Sequence, residues 1–214
     1  MGNKVTIIDY GYGNLYSLQS AFNKLKINSV ITELPEVIEK AEIIVLPGVG
    51  SFYQAMKAIK KRELHIIIKK AVRKNTGILG ICLGYQMLFK ESEEFGVNEG
   101  LGVLDGKVVS LKDFRQNNLR IPNVGWRTLI INKQNSNFSN LYEGKHVYFV
   151  HSFIPKAKNQ QQVSTFIKFG EEKIHTSVHY KNIVGFQFHP EKSGKVGLHI
   201  LRDAITYLVN RKKP

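Results

Sequence analysis

Two short stretches of the sequence carry the residue types needed for nucleophilic catalysis. The first, GILGICLGYQ (residues 77–86), contains Cys82, the only cysteine in the 214-residue chain. Glycines two residues before and after it match the nucleophile-elbow pattern, in which a sharp turn after a strand exposes a nucleophile. A helix that starts after Cys82 would direct its positive end at the sulfur and favour the thiolate. A lone buried cysteine is also a common inert core residue, so this stretch alone leaves both interpretations open.

The second stretch, QFHPEKSG (residues 187–194), supplies a base and a group to orient it. In an extended segment residues i and i+2 point the same way, so His189 and Glu191 are expected to face one side together. Pro190 restricts the backbone between them. A carboxylate beside an imidazole fixes its tautomer and stabilises the imidazolium formed when a thiol loses its proton. A surface His-Pro-Glu turn is the alternative for this stretch alone; together with the elbow, the pattern favours a Cys-His-Glu triad.

Two glycine-containing loops are further candidates for a binding site. PGVGSF (residues 47–52) has glycines on both sides of Val49, so that backbone N–H groups can bend towards one spot and hold an oxyanion. A plain strand-to-helix turn explains this loop equally well. GYGN (residues 11–14) lacks the third glycine of a dinucleotide-binding fingerprint, which makes a Rossmann interpretation weak.

The hydrophobic pattern predicts the elements that position these loops. In the first half, buried strands (4–9, 29–32, 42–46 and 77–81) alternate with helical patterns, and Pro35 opens a short helix between the second and third strands. Such alternation implies a parallel sheet covered by helices on both faces, with ligands bound beyond the carboxyl ends of its strands. After about Gly100 short strands predominate, among them HVYFVHSFI and IVGFQFHP, and a final helix has Leu198, Leu201, Ile205 and Leu208 on one face. We expect one domain, 1–214, with a β-rich second half.

Composition narrows the class of protein. The chain is 43% hydrophobic, as in ordinary globular proteins, and no apolar run reaches the roughly 20 residues of a membrane span. One cysteine excludes an internal disulfide, and no Cys/His cluster has zinc-site spacing. We expect a cytoplasmic protein. The net charge of +14 suggests nucleic-acid binding, but the lysines are scattered and no RNA-binding motif accompanies them, which favours a solvated basic surface.

The combination of GICLGYQ with FHPE resembles the class I glutamine amidotransferases. DYGYGNLYS, LPGVGSF, GICLGYQMLFKESEE, YFVHSF and GFQFHPEKSGKVGLHIL extend the resemblance over nearly the whole chain. These stretches are similar to the glutaminase subunits of imidazole glycerol phosphate synthase. The resemblance implies a three-layer α/β fold with a mostly parallel central sheet, no metal or organic cofactor, and a TIM-barrel synthase subunit as partner in a heterodimer. The implied reaction is hydrolysis of glutamine to glutamate, with ammonia passed to the partner for histidine biosynthesis.

The same resemblance implies roles for particular residues. Cys82 would be the nucleophile, His189 the base and Glu191 its orienter. The remaining positions are an oxyanion hole made by Leu83 and the Val49–Gly50 peptide, a glutamine-binding set of Gln86, Glu94, Tyr148, His151 and Ser152, and a partner-facing pair, Asn14 and Trp126.

The segment IPNVGWRT departs from the family pattern. Family members usually have a histidine and an asparagine flanking the Gly-Trp pair, where this chain has Asn123 and Arg127. Because that segment faces the partner in the family, a related glutaminase that feeds a surface-sugar synthase is an alternative. Two other classes stay open: a cysteine hydrolase acting alone, such as a γ-glutamyl peptidase, and a basic nucleic-acid-binding module.

Overall fold

The computed structural model describes residues 5–114, 120–135 and 140–210. Lys4, predicted to begin the first strand, lies outside these ranges. The strands are β1 (Val5–Ile8), β2 (Ser29–Thr32), β3 (Ile43–Leu46), β4 (Gly77–Ile81), β5 (Phe89–Ser92), β6 (Asn98–Glu99), β7 (Leu104–Ser110), β8 (Asn123–Thr128), β9 (Ile130–Ile131), β10 (His146–His151), β11 (Phe153–Ala157), β12 (Val163–Phe169), β13 (Glu172–Tyr180) and β14 (Ile183–Phe186). The α-helices are α1 (Leu15–Lys24), α2 (Pro35–Ile38), α3 (Phe52–Lys61), α4 (Leu64–Arg73), α5 (Leu83–Met87) and α6 (Gly194–Asn210).

A large mixed sheet forms the centre of the fold. Its strand order is β2-β1-β3-β4-β14-β13-β12-β9. The first five strands in this order run parallel, whereas β13, β12 and β9 continue the sheet in antiparallel pairs. The central strands β3, β4 and β14 are buried throughout, as expected for parallel strands covered on both faces. The predicted α/β class with a mostly parallel sheet is confirmed.

Helices cover both faces of this sheet. Leu18 and Phe22 of α1 join one buried cluster with Leu201 of α6. Phe52 of α3 and Ile68 of α4 belong to a second buried cluster. These residues repeat at helical spacing, so each helix presents an apolar stripe to the sheet and leaves its lysines in solvent. Within the described residues no helix is both long and apolar enough to cross a membrane.

The β-rich second half divides among three sheets, which the sequence did not indicate. HVYFVHSFI, predicted as one strand, is β10 and β11 with Ser152 between them. Strand β10 pairs with β8 in a two-stranded ribbon, and β11 pairs with β7 in a separate four-stranded sheet. The residues at this junction all suit a strand. The sequence therefore has no glycine or proline there to mark the place where the chain passes from one sheet to the next. The junction matters because it lies beside the candidate site.

Candidate active site

Cys82 lies in a strained turn at the carboxyl end of β4. Its φ of 54° and ψ of −110° are unusual for a residue with a side chain. The backbone N–H of Cys82 donates to the carbonyl of Phe186 at 2.7 Å, which ties the turn to the neighbouring strand β14. The sequence therefore places its only cysteine at the sheet edge where α/β proteins bind ligands.

The flanking glycines are required by close packing. A Cβ at Gly84 would lie 1.8 Å from the carbonyl oxygen of Leu46, and one at Gly80 would lie 2.8 Å from the Cα of Tyr85. The sharp turn after β4 therefore depends on glycine at both positions. The predicted helix follows as α5, which has only five residues, so its dipole at the sulfur is small.

His189 and Glu191 form a buried pair. The Nδ1 atom of His189 lies 2.7 Å from Oε1 of Glu191, with the side chains 2% and 4% exposed. The predicted extended backbone is only partly right, because β14 ends at Phe186 and residues Pro190–Lys192 form a 3-10 turn. His189 precedes that turn in an extended conformation, and the turn itself brings the carboxylate back to the ring.

The histidine ring is polarised by its two neighbours. Burial alone would lower the pKa of His189, but interactions with Cys82 and with the Glu191 carboxylate outweigh burial and raise this pKa well above its usual range. The other ring nitrogen, Nε2, is buried and makes no conventional hydrogen bond to the described residues. A proton on Nε2 is therefore available for transfer.

The backbone around His189 is anchored by Ser193. The Ser193 hydroxyl donates to the His189 carbonyl at 2.6 Å and accepts from the Tyr148 N–H at 2.9 Å. The His189 N–H in turn donates to the Tyr148 carbonyl at 2.9 Å. These three bonds fasten the segment after β14 to strand β10.

The PGVG loop packs against the start of α5. A Cβ at Gly48 would lie 2.7 Å from Cβ of Leu83 and 2.8 Å from the backbone nitrogen of Gly84, so the loop and the helix start are in close contact. Leu83 is the first residue of α5, where N–H groups have no partner within the helix. Gly50 has a φ of 98°, which glycine adopts without strain. The Tyr10 hydroxyl donates a short hydrogen bond to the Pro47 carbonyl at the base of the loop.

A cavity of about 350 Å³ opens over Cys82. Its walls come from the PGVG loop, the elbow, the β5 end and the β10–β11 junction: Val49, Gly50, Cys82, Leu83, Gln86, Glu94, Pro122, Val150, His151, Ser152 and Phe153. Its size suits a small polar molecule such as an amino acid. Seven of the predicted oxyanion and substrate positions thus surround the predicted nucleophile.

Glu94 supplies a carboxylate to this cavity. Its Oε2 accepts from the Phe52 N–H at 2.5 Å, at the start of α3. Burial raises the pKa of Glu94, and the bond from Phe52 offsets part of that rise. The group can accept a hydrogen bond from the ammonium of an amino acid.

Gln187 is a contact of the nucleophile that the sequence analysis missed. It is fully buried, and its Nε2 lies 3.8 Å from Cys82 Sγ. Its Oε1 accepts from Gln86 Nε2 at 3.1 Å. A glutamine two residues before the histidine has no distinctive spacing of its own; only its position directly after a strand that pairs with β4 indicated proximity to Cys82.

Comparison with known proteins agrees with this geometry. Residues 6–207 match the glutamine amidotransferase class-I family. The chain belongs to this family. It is 40% identical over 211 residues to the imidazole glycerol phosphate synthase subunit HisH 2 of Vibrio vulnificus, covering 98% of this chain and 97% of that protein. The HisH subunit of Lactococcus lactis is 40% identical over 199 residues, covering 93% of this chain and 96% of the relative.

Solved structures share the amidotransferase fold. One, described as a glutamine amidotransferase, superposes with a TM-score of 0.72 at 20% identity and covers 94% of this chain and 98% of its own. A second, PurLQS from Thermotoga maritima, has a TM-score of 0.72 at 21% identity over 97% of this chain and 100% of the matched chain. The family resemblance stated from the sequence is confirmed.

One predicted substrate residue does not line the cavity over Cys82. Tyr148 is not among the lining residues; its ring packs edge-on against Trp126, with centroids 6.1 Å apart. Trp126 is 51% exposed on the β8–β10 ribbon. Asn14 caps α1 by accepting from the Ser17 N–H at 3.3 Å, so this predicted partner contact also has a local structural role.

Asn123, one of the two departures from the family pattern, is fully buried and contacts His151 of the cavity wall. Its Nδ2 is 2.9 Å from Nε2 of His151, whose Nδ1 is 2.9 Å from the Phe153 carbonyl. Since a carbonyl only accepts, Nδ1 carries the proton and Nε2 accepts from Asn123. Burial lowers the pKa of His151 to about 4. Asn123 thus holds a neutral His151 in one tautomer. The other departure, Arg127, donates from Nη1 to the Trp126 carbonyl at 3.1 Å.

The described residues contain no group of three or more His, Cys, Asp or Glu side chains placed to hold a metal ion.

Proposed function

We propose that this chain is the glutaminase subunit of an imidazole glycerol phosphate synthase, with Cys82, His189 and Glu191 as its catalytic triad. The observation that carries the proposal is the buried His189, oriented through Nδ1 by Glu191 and polarised by Cys82. Membership of the class-I amidotransferases and about 40% identity to HisH subunits support it.

The reaction begins with attack by the Cys82 thiolate on the side-chain carbonyl carbon of glutamine. A C–S bond forms, and the carbonyl oxygen becomes an oxyanion that accepts hydrogen bonds from the Leu83 N–H and the Val49–Gly50 peptide. Glu94 and the His151–Ser152 backbone hold the amino-acid end of the substrate. Glu191 keeps the charged His189 ring in place throughout.

His189 then transfers its Nε2 proton to the departing nitrogen as the C–N bond breaks. Ammonia leaves, and the γ-glutamyl group remains as a thioester on Cys82. The neutral ring next takes a proton from water, which attacks the thioester carbon. The C–S bond breaks, glutamate departs, and the thiolate–imidazolium pair is restored.

Ammonia is protonated and lost as a nucleophile when it escapes into water, so it must pass directly to an acceptor. The acceptor site belongs to a cytoplasmic TIM-barrel synthase subunit that docks over the cavity mouth and forms a heterodimer with this chain. No nucleic acid is involved. The exposed Val124, Trp126 and Val150 on the β8–β10 ribbon provide an apolar surface next to the cavity for such a partner.

Two measurements test this proposal. A glutamine-like electrophile should label the protein once, at Cys82, and labelling that persists in Cys82→Ala would refute the assigned nucleophile. Glutamate release should be slow for the isolated chain and should rise strongly with a histidine-pathway synthase subunit that carries its nucleotide acceptor. Activation only by a surface-sugar synthase would keep the chemistry but overturn the pathway, and full activity alone would favour a stand-alone hydrolase.

A further inference from the structure

We propose that Gln187 is an additional catalytic residue, whose side-chain amide donates a hydrogen bond to Cys82 and stabilises its thiolate, and that Gln86 is the positioning residue that turns this amide the right way. The inference rests on the proposed function, since it concerns the nucleophile of that reaction. It adds a stabilising contact outside the triad.

The Phe153 carbonyl fixes the orientation of the Gln86 amide. This oxygen can only accept, and it lies 3.0 Å from one terminal atom of the Gln86 amide. That atom must therefore be the amide nitrogen, Nε2. The same carbonyl also accepts from His151 Nδ1 at 2.9 Å, which uses both of its lone pairs.

The direction of the first bond determines the second. Gln86 Nε2 has two hydrogens, one for Phe153 and one for the Gln187 atom at 3.1 Å. The Gln187 atom that faces Gln86 must accept, so it is Oε1. The opposite atom of the Gln187 amide is then the nitrogen, and this is the atom 3.8 Å from Cys82 Sγ. The Phe153 carbonyl thus orients the Gln86 amide, and the Gln86 amide in turn orients Gln187 so that an N–H donor faces the sulfur.

Burial makes this orientation consequential. Gln187 is fully buried and Gln86 is 6% exposed. Hydrogen bonds in such surroundings are poorly screened, and an N–H donor interacts more strongly with a thiolate than with a thiol. The Val150 carbonyl, 3.9 Å from Sγ, acts in the opposite sense because an acceptor favours the protonated thiol. Gln187 offsets that contact.

Four titratable side chains also face Cys82 or its cavity. His189 and Tyr10 interact with the charge of Cys82, and Glu94 and His151 line the cavity. His151 is neutral near pH 7 because burial lowers its pKa to about 4. A substitution at Gln187 leaves all four of these groups in the chain. A change in the reactivity of the sulfur can therefore be attributed to loss of the Gln187 amide.

The arrangement also limits how Gln86 contacts the substrate. Both of its N–H groups are used within the protein, so only Oε1 is left for glutamine. Gln86 therefore contacts the substrate as an acceptor, and a Glu replacement would lose the donor to Gln187.

The test is the pH dependence of Cys82 alkylation by iodoacetamide, which needs no glutamine turnover and no partner. Because Cys82 is the only cysteine, all cysteine alkylation reports this sulfur. In Gln187→Leu we expect the midpoint of the rate profile to move up by about one pH unit, as expected for loss of a hydrogen bond to a charged group. Gln86→Leu should move it the same way by less, because Gln187 stays but loses its fixed orientation.

Gln162→Leu is the matched control, since Gln162 is a buried glutamine in a separate turn, Gln160–Gln162. Its profile should equal that of the unmodified chain. Gln187→Met, which keeps the length of the side chain, replaces Gln187→Leu in this test if the leucine variant does not fold. An unchanged midpoint in a folded Gln187 variant overturns the inference. Failure of the proposed function would give a different result, namely glutaminase activity that persists in Cys82→Ala.

Discussion

His189 and Glu191 are only two residues apart, yet their side chains meet at 2.7 Å because a 3-10 turn, not a strand, connects them. The turn starts at Pro190, whose ring favours the required backbone angle. Ser193 closes the turn by donating to the His189 carbonyl. The short motif therefore brings the carboxylate to the ring by local structure, and the bonds to Tyr148 of β10 then hold the segment in place.

Changes to this pair should separate proton transfer from orientation. His189→Ala removes the group that carries the proton, so glutamate release with partner should fall by roughly 10²–10⁴-fold. Glu191→Gln should be milder, because the amide oxygen can still accept from Nδ1. Steady-state glutaminase assays with a saturating synthase subunit measure both, and a His189→Ala variant that kept most of its rate would contradict the triad.

The raised pKa of His189 also predicts a pH-dependent stability. A histidine whose pKa is raised on folding adds stability that is fully present below its unfolded value of about 6.5 and is lost as pH rises through the folded value. Urea unfolding at pH 6 and at pH 9 should therefore give a lower free energy of unfolding at pH 9. The difference should shrink in Cys82→Ala and in Glu191→Gln, which each remove a group that raises this pKa. An equal difference in all three proteins would contradict this account of the site.

Gly84 should tolerate no side chain. Its added Cβ would lie 1.8 Å from the Leu46 carbonyl oxygen, and neither backbone can move without displacing the elbow. We expect Gly84→Ala to lower the free energy of unfolding by at least about 3 kcal/mol, beyond ordinary overpacking. Gly144→Ala is the control, because that position has open space and only a φ of 73°, so it should cost about 1–2 kcal/mol. If urea unfolding gives similar losses of free energy for Gly84→Ala and Gly144→Ala, the contact with Leu46 is not the cause.

Tyr10 should hold the PGVG loop through the Pro47 carbonyl. Burial, with a smaller contribution from the charge of Cys82, raises the pKa of Tyr10, so its hydroxyl stays a donor. Tyr10→Phe leaves a buried carbonyl without this partner and should cost about 1–3 kcal/mol. It should also slow glutamate release, because the loop supplies the proposed oxyanion donor.

Tyr85→Phe is the matched control for that change. Tyr85 is also fully buried, but its hydroxyl has no hydrogen-bond partner among the described residues. Removing it should leave the free energy of unfolding unchanged or slightly raised. Thermal or urea unfolding of the two variants side by side gives the comparison, and an equal loss in both would attribute the effect to removal of any buried hydroxyl rather than to the Pro47 bond.

Prediction from the sequence succeeded where a residue's role depends on local spacing. The glycines around Cys82, the strand pattern up to β4 and the apolar stripe of α6 all follow from short-range rules. It did not find Gln187 or the buried Asn123–His151 pair, because these contacts join residues 28 to 105 positions apart. The division of β10 from β11 was missed for a related reason: which sheet a strand joins depends on partners elsewhere in the chain.

Trp126 provides the last prediction, since it separates partner docking from chemistry. This residue is 51% exposed and packs on Tyr148, whereas Asn123 of the same strand is fully buried. Exposed tryptophans of this kind often dominate binding energy, so Trp126→Ala should weaken synthase binding by at least about tenfold. Ile66→Ala, at a 54% exposed position on α4, is the control and should bind normally. Titration of glutaminase activation with the synthase subunit measures the affinity, and iodoacetamide alkylation of Cys82 without partner should be equal in both variants. Equal activation curves for the two variants would show that the synthase subunit does not dock on the β8–β10 ribbon. Altered alkylation in Trp126→Ala would mean that this residue acts on the site itself.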